Sequence, residues 1–327
     1  MPVELWSSPA FHAEVGHWVE GAARGAGIRL SGEFHQPHNR PWSSAIRFGS
    51  DAGPLWFKVN GPGTLHEGAL VAALGQLQPE LVSEVLAIDR ERGWWLTRDA
   101  GPILRTVAAP GELWTRWEAI LPRYGRAQLR LASQVDALLA TGVQEVSPAT
   151  LPGQFQALLD HLSERSPAEG GLTSGESQSL AALLPLYQGW CDELAQSGIP
   201  NSIQHDDLHS ANVCWGGSAG RARIIDWGDA SVGYPLGTML STLNSIAHHA
   251  KIEVEDSRVQ RMRDAYLEPF THLASRERLV ALVRVARRLG CVTRALSYVR
   301  AFEGEPTSAE SSADFPVRGW LLELLAD

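Results

Sequence analysis

QHDDLHSANVCW, residues 204–215, followed after a glycine-rich turn by IIDWGDA, residues 224–230, decides the fold. It gathers His205, Asp206, Asp207 and His209 within five positions and sets Asn212 five residues beyond Asp207. Between them and Asp226 lies GGSAG, so NVCW and RARII read as two short strands of a hairpin that returns Asp226 to the side of Asn212. Two chemistries compete for this density of polar groups. His205 and His209, four apart with two carboxylates between them, are spaced like the ligands of a metal hydrolase. A zinc hydrolase needs a third protein ligand, however, and His248 and His249 lie in a helical pattern with nothing ligand-like around them. Phosphoryl transfer needs a loop carboxylate for the acceptor hydroxyl, an oxygen donor for Mg2+ and a separate Asp between metal and phosphates. Asp207, Asn212 and Asp226 supply that set in that order.

These two motifs resemble the aminoglycoside phosphotransferase and choline kinase branch of the protein-kinase-like fold, whose catalytic loop reads HGDLHxxN and whose metal motif reads IDW or IDF. The resemblance implies an α+β, bilobal fold with a small sheet-based N-terminal lobe and a larger, mainly helical C-terminal lobe. It implies Asp207 as catalytic base, His205 as the structural histidine of the loop, and Asn212 and Asp226 as Mg2+ ligands. Asp206 stands where the family commonly has Gly, adding a charge beside the base.

The N-terminal third meets the remaining demands of that template. SSAIRFGS and LWFKV, separated by FGSDAGP, read as a hairpin, LHEGALVAALGQL as a helix, and VSEVLAIDRERGWWLTRDAG as a second hairpin. Residues 1–100 are thus expected to be mostly sheet with one helix, and to form the nucleotide-binding lobe. A strand lysine alone is usually a solvated edge residue. Lys58, the only lysine in residues 1–100, stands on the third strand ahead of a helix carrying Glu67, the order in which a kinase-like fold places its phosphate lysine and the glutamate that holds it. PHNRPWSS, between the first two strands, has no glycine, so a GxGxxG cradle is absent and phosphate contacts fall to Ser43, Ser44 or backbone amides. WWLTRDAGP takes the place of the interlobe hinge, where backbone groups of Thr97 to Asp99 are expected to pair with the base of ATP or GTP.

After Gly101 and Pro102 the apolar spacing shifts to three and four, and residues 101–327 read as the helical lobe with the catalytic loop and the acceptor pocket. SERSPAEGGLTSGES reads as a solvated loop, Asp229 as a turn former, and Arg284, Arg287, Arg288 and Arg294 as a solvated helix face pairing with acids. With 37 acidic against 28 basic residues the formal charge is −9 and neither part is a basic module, so nucleic acid is not an expected partner. Cys191, Cys214 and Cys291 are odd in number and form no CxxC pair, which fits a reducing cytoplasm rather than a disulfide framework. No signal peptide or membrane-length apolar run is read. The expected partners are a nucleotide and a small-molecule hydroxyl. Glu303, Glu305, Glu310, Asp314, Glu323 and Asp327 against one base, Arg318, would suit a cationic acceptor such as an amino sugar, an aminoglycoside or a choline-like amine, with a solvated acidic tail as the plainer alternative. A catalytically silent nucleotide-binding pseudokinase and a metal-dependent hydrolase are the alternatives to a Mg2+-dependent small-molecule kinase.

Overall fold

The computed structural model describes residues 2–109, 111–303 and 316–326. Its residues fall into two compact units: one takes in the chain up to Pro102, Cys214–Gly228 and residues 300–303, the other Ile103–Val213, Asp229–Val299 and residues 316–326.

In the first unit two helices, α1 (Pro2–Trp6) and α2 (Pro9–Gly25), precede the sheet, so its N-terminal segment holds more than the single helix expected. The causes of α2 are local. The Ser8 hydroxyl accepts from the Phe11 amide at 3.2 Å, Pro9 occupies the first turn, and Phe11, Val15, Val19 and Ala23 recur every fourth residue as a buried stripe. Strands β1 (Leu30–Arg40), β2 (Ser43–Ser50), β3 (Leu55–Asn60), β4 (Val85–Asp89) and β5 (Trp94–Arg98) form one antiparallel sheet in the order β1-β2-β3-β5-β4. The glycine-free segment 37–44 is mostly strand, with only Pro41 and Trp42 between β1 and β2. Leu55, Phe57 and Val59 of β3 are buried with the α2 stripe, and Phe57 meets Phe11 and Trp94 edge-on at ring-centre distances of 6.4 and 5.4 Å. The two-residue period therefore turns Lys58 and Asn60 to the other face, where α3 (Glu67–Leu77) begins. Gly68 lets that first turn close onto the sheet: a Cβ there would lie 3.0 Å from the Trp95 ring.

The second unit is mainly helical: α4 (Leu104–Val107), α5 (Glu112–Leu131), α6 (Val135–Leu139), α7 (Leu151–Ser163), α8 (Ser174–Ala195), α9 (Met239–Ala250), α10 (Ser257–Leu267), most of α11 (Arg276–Ala301) and α12 (Val317–Leu322). The expected loop 163–177 already contains the start of α8, because Thr173 and Glu176 form a capping box. Three short strands, β6 (Gln144–Val146), β7 (Ser202–Gln204) and, beyond the 213–224 hairpin of β8 (Val213–Cys214) and β9 (Arg223–Ile224), β10 (Ser231–Gly233), form a sheet in the order β6-β10-β7. Two residues of α5 one turn apart set the position of β7 and of the loop that follows. Gln128, fully buried, donates to the Ile203 carbonyl at 2.8 Å, while the Tyr124 hydroxyl accepts from the His205 amide at 2.8 Å.

Candidate active site

Sequence order places Lys58 and Glu67 on consecutive elements and Asp226 far along the chain; the first unit brings all three together. The Lys58 Nζ lies 2.7 Å from a Glu67 carboxylate oxygen and 2.6 Å from Asp226 Oδ1. Glu67 is fully buried and also accepts from Asn60 Nδ2 at 2.7 Å and from the Trp227 amide at 2.9 Å. Asn60 is fixed in turn by the Trp95 indole N–H at 2.9 Å. Burial alone would lower the Lys58 pKa, but the charges of Asp226 and Glu67 and their hydrogen bonds outweigh it and raise it, so the amine stays protonated. Burial pushes the Glu67 carboxyl up, opposed by Lys58. Asp226 differs from Glu67 in two ways: its side chain is half-exposed, and its backbone has φ of 64°, a left-handed conformation that non-glycine residues adopt where the surroundings enforce it. Gly228 keeps this turn close to the pair, since a Cβ there would stand 3.3 Å from the Glu67 carboxylate.

The other first-unit candidates are placed as follows. Ser43 and Ser44 are buried at the start of β2. The Ser44 hydroxyl donates to the His38 carbonyl at 3.0 Å and accepts from Gln36 at 2.7 Å, while Ser43 Oγ lies 3.4 Å from His38 Nε2. His38, which no sequence signal marks, feels Lys58 and Asp226; burial, then Lys58, lowers its pKa. Thr97 is buried within β5, and the amides of Arg98 and Asp99 donate to Glu84 and Pro54 carbonyls at 3.0 and 3.1 Å. The Asp99 carboxylate accepts from the Trp56 indole at 2.6 Å and from the Gly101 amide at 3.0 Å.

In the second unit the loop after β7 holds His205, Asp206, Asp207, His209 and Asn212. His205 is fully buried, and its Nδ1 accepts from the Asp207 amide at 3.3 Å, shaping the turn from within. Asp206 faces inward, its carboxylate accepting from Ser231 of β10 at 2.5 Å and its carbonyl from Ser241 at 2.6 Å. Asp207 is partly exposed. Its Oδ2 lies 3.3 Å from His209 Nε2 and 3.4 Å from Asn212 Nδ2, and its Oδ1 lies 3.5 Å from Arg294. His209 Nδ1 accepts from the Ala211 amide at 3.2 Å, so its Nε2 carries the hydrogen turned toward Asp207. Asn212 also gives Nδ2 to the Asp207 carbonyl at 3.0 Å, so its amide oxygen is the atom that could hold a cation. Burial would raise the Asp207 pKa, but the Arg294 guanidinium, His209 and His205 hold it well below the usual carboxylate range.

Arg294 is where the structure departs furthest from the sequence-based expectation. It is 4% exposed rather than solvated, and its NH1 donates to Asp229 at 2.8 Å, so Asp229 is an ion-pair partner as well as a turn residue. A signal was present: Leu279, Val283, Ala286, Gly290, Arg294 and Ser297 recur at intervals of three and four, which puts Arg294 on the apolar stripe of α11. Of the C-terminal acids, Glu305, Glu310, Asp314 and Asp327 lie outside the described residues. Among the described residues no group of three or more His, Cys, Asp or Glu is arranged to hold a metal ion, so His205 and His209 find no third ligand of the hydrolase kind. No helix of the described residues is long and apolar enough to cross a membrane.

A family model described as "Phosphotransferase enzyme family" matches residues 37–261, a span that contains Lys58, Glu67, Asp207, Asn212 and Asp226. No curated protein matches the chain. Among solved structures it is similar to a macrolide 2'-phosphotransferase from Brachybacterium faecium, at 19% identity over 92% of this chain and 97% of that one, with a TM-score of 0.55. It is also similar to the choline kinase LicA from Streptococcus pneumoniae, at 13% identity over 95% and 99% of the two chains with a TM-score of 0.58. A third, the amicoumacin kinase hAmiN in complex with AMP-PNP, Ca2+ and Ami, shares 13% identity over 94% and 93% with a TM-score of 0.53. These likenesses give an α+β, protein-kinase-like fold. With well over half its length matched by the family model, the chain belongs to the phosphotransferase enzyme family.

Proposed function

We propose that the protein transfers the γ-phosphoryl group of ATP, or of GTP, with Mg2+, to a hydroxyl of a small molecule. The observation that carries this is the Lys58 cluster, a protonated amine held between a buried and a half-exposed carboxylate. Glu67 is saturated by three donors and fixes the amine; Asp226 is the carboxylate with a face open to solvent. Lys58 would then hold nucleotide phosphate oxygens as a point charge whose position Glu67 sets. Asp226 and the Asn212 amide oxygen are hard oxygen donors of the kind Mg2+ takes. When bound, the metal neutralises charge on the phosphates. Asp207 would accept a hydrogen bond from the acceptor hydroxyl and align its oxygen with the γ-phosphorus. In a loose transition state alignment matters more than early removal of the proton. Ser43, Ser44 and His38 on the β1–β2 side, and the Thr97–Asp99 segment, remain the proposed surroundings of the phosphates and the base.

For the acceptor we favour an amine-bearing alcohol, an amino sugar, an aminoglycoside or a choline-like amine, in keeping with the −9 charge and the acids of the C-terminal stretch. The similar structures, named for macrolide, choline and amicoumacin as substrates, are in line with a small hydroxyl-bearing molecule. The test is a panel of amines, sugars, macrolides and aminoglycosides assayed for acceptor-dependent ADP release with Mg2+. Release stimulated by at least one alcohol and absent in Asp207→Asn is expected. ADP release that no hydroxyl compound stimulates, in protein that binds nucleotide, would overturn the assignment.

A further inference from the structure

We propose that Arg294 is a positioning residue for the transfer, holding the Asp207 carboxylate in the orientation that receives the acceptor hydroxyl; this rests on the role given to Asp207 above. A guanidinium buried to 4% exposure is costly unless its charge is met, and α11 brings Arg294 to two carboxylates at once. The two contacts are unequal. NH1 to Asp229 Oδ2 at 2.8 Å is a full charge-assisted hydrogen bond, whereas NH2 to Asp207 Oδ1 at 3.5 Å is longer than such bonds run. Asp229 is thus the anchor and Asp207 the group held. The plane of the guanidinium is fixed as well, with Tyr298 and Trp320 rings centred 5.1 and 5.9 Å from its carbon, and its Nε is buried with no hydrogen-bond partner.

The geometry at Asp207 is what a positioned hydrogen-bond acceptor needs. Its neighbours Arg294, His209 and Asn212 stand 3.3–3.5 Å from its oxygens, near enough to fix the carboxylate's rotation and too far to saturate it. Lone-pair capacity is left for a hydroxyl. As the new bond from the hydroxyl oxygen to the γ-phosphorus forms, the bond to the bridging oxygen breaks with its electron pair leaving on ADP. The hydroxyl proton passes by way of Asp207 to solvent. Arg294 keeps Asp207 aimed throughout and touches neither reactant, and Asp229 ties it to the residues that follow the IIDWG motif.

The experiment compares wild type, Arg294→Ala, Arg294→Lys, Asp207→Asn and the double variant Asp207→Asn/Arg294→Ala, using Mg-ATP hydrolysis with water as acceptor, so no acceptor need be identified. Arg294→Ala should lower kcat on the order of 10²-fold, the scale of a catalytic group displaced by about an ångström, while the KM for ATP stays within about twofold. Arg294→Lys should recover part of the rate, and added guanidinium ion should partly rescue Arg294→Ala where urea at equal concentration does not. In the Asp207→Asn background the alanine change should cost little further rate, because Arg294 acts through Asp207. A merely structural Arg294 would instead slow both backgrounds alike and show no rescue, and that result overturns the proposal. Should Arg294→Ala not fold, the same comparison with Arg294→Lys decides: full wild-type kcat overturns it, and a kcat loss at constant ATP KM that vanishes in the Asp207→Asn background supports it. Wild-type turnover in Asp207→Asn would refute the role of Asp207 itself, an outcome distinct from a failure confined to Arg294.

Discussion

Replacing Lys58 with Met removes the cation from a cluster in which one carboxylate has no access to water. Glu67 would keep Asn60 Nδ2 and the Trp227 amide as donors but would be a buried anion without a partner charge, a situation that costs about 3–5 kcal/mol. Glu67→Gln is the milder change. Lys58 keeps its 2.6 Å contact with Asp226, and the one Gln oxygen can still accept from Lys58 and the Trp227 amide, so the loss is the charge on the Lys58 contact and the acceptor for Asn60 Nδ2, about 1.5–3 kcal/mol. The two variants also differ in pH dependence. Burial pushes the Glu67 carboxyl up and Lys58 is the main force opposing it, so without Lys58 the folded pKa rises further above that of the unfolded chain. A carboxyl with a raised folded pKa binds more protons folded than unfolded, so stability falls as pH rises through that interval. The deficit of Lys58→Met relative to wild type should therefore be small near about pH 5 and widen toward about pH 8, whereas that of Glu67→Gln should change little. Urea unfolding of the ligand-free proteins at the two pH values measures both. Equal deficits for Lys58→Met at the two pH values, or a deficit at about pH 8 no larger than that of Glu67→Gln, would show that Lys58 and Glu67 are not the coupled buried pair described.

Three further outcomes are expected. Asp207→Asn should leave ATP affinity nearly intact and lower turnover by on the order of 10² to 10⁴; steady-state kinetics beside calorimetric titration with ATP separates the two effects. Asp226→Ala should lose most Mg2+-dependent ATP binding, and Asp226→Asn, which tolerates the left-handed backbone at φ 64°, should lose it too while unfolding closer to wild type; normal Mg2+-dependent binding in both would remove Asp226 as a metal ligand. Arg318 holds Glu176 at 2.6 Å, and with the Thr173 bonds lowers its carboxyl to about 2, so the stability this contributes is present above pH 4.5 and is lost as pH falls toward 2. Glu176→Gln should weaken that link between α8 and α12, raising amide exchange in Val317–Leu322 at neutral pH, and unchanged exchange would argue that the link holds nothing.

Much of the candidate site's geometry was legible because its pairings fall at short, local spacings. Asp207 and Asn212 share one loop, and Lys58 and Glu67 stand on consecutive elements, so residue type and order were enough to pair them. What linear order conceals is membership at a distance. Residues 214–228 cluster with the N-terminal unit, which is why Asp226 reaches Lys58 across 168 positions. Arg294 was hidden for a different reason. A charged residue on an apolar stripe reads as a solvated interruption until its counter-charges are known, and Asp207 and Asp229 lie 87 and 65 positions before it. Strands β6, β7 and β10, three residues each, are too short for the two-residue period to register, and only their pairing defines them. Helix α2, by contrast, carried its Ser-Pro start and its four-residue apolar repeat in plain view.

The most direct measurement is phosphorus NMR of the protein with Mg2+, ATP and an alcohol drawn from the active members of the acceptor panel. A new phosphate monoester resonance should grow as the ATP γ-phosphorus signal fades, and should be lost in Asp207→Asn although this variant still binds ATP. ATP consumed to ADP and inorganic phosphate alone across the panel, or ester formation undiminished in Asp207→Asn, would contradict the proposed transfer.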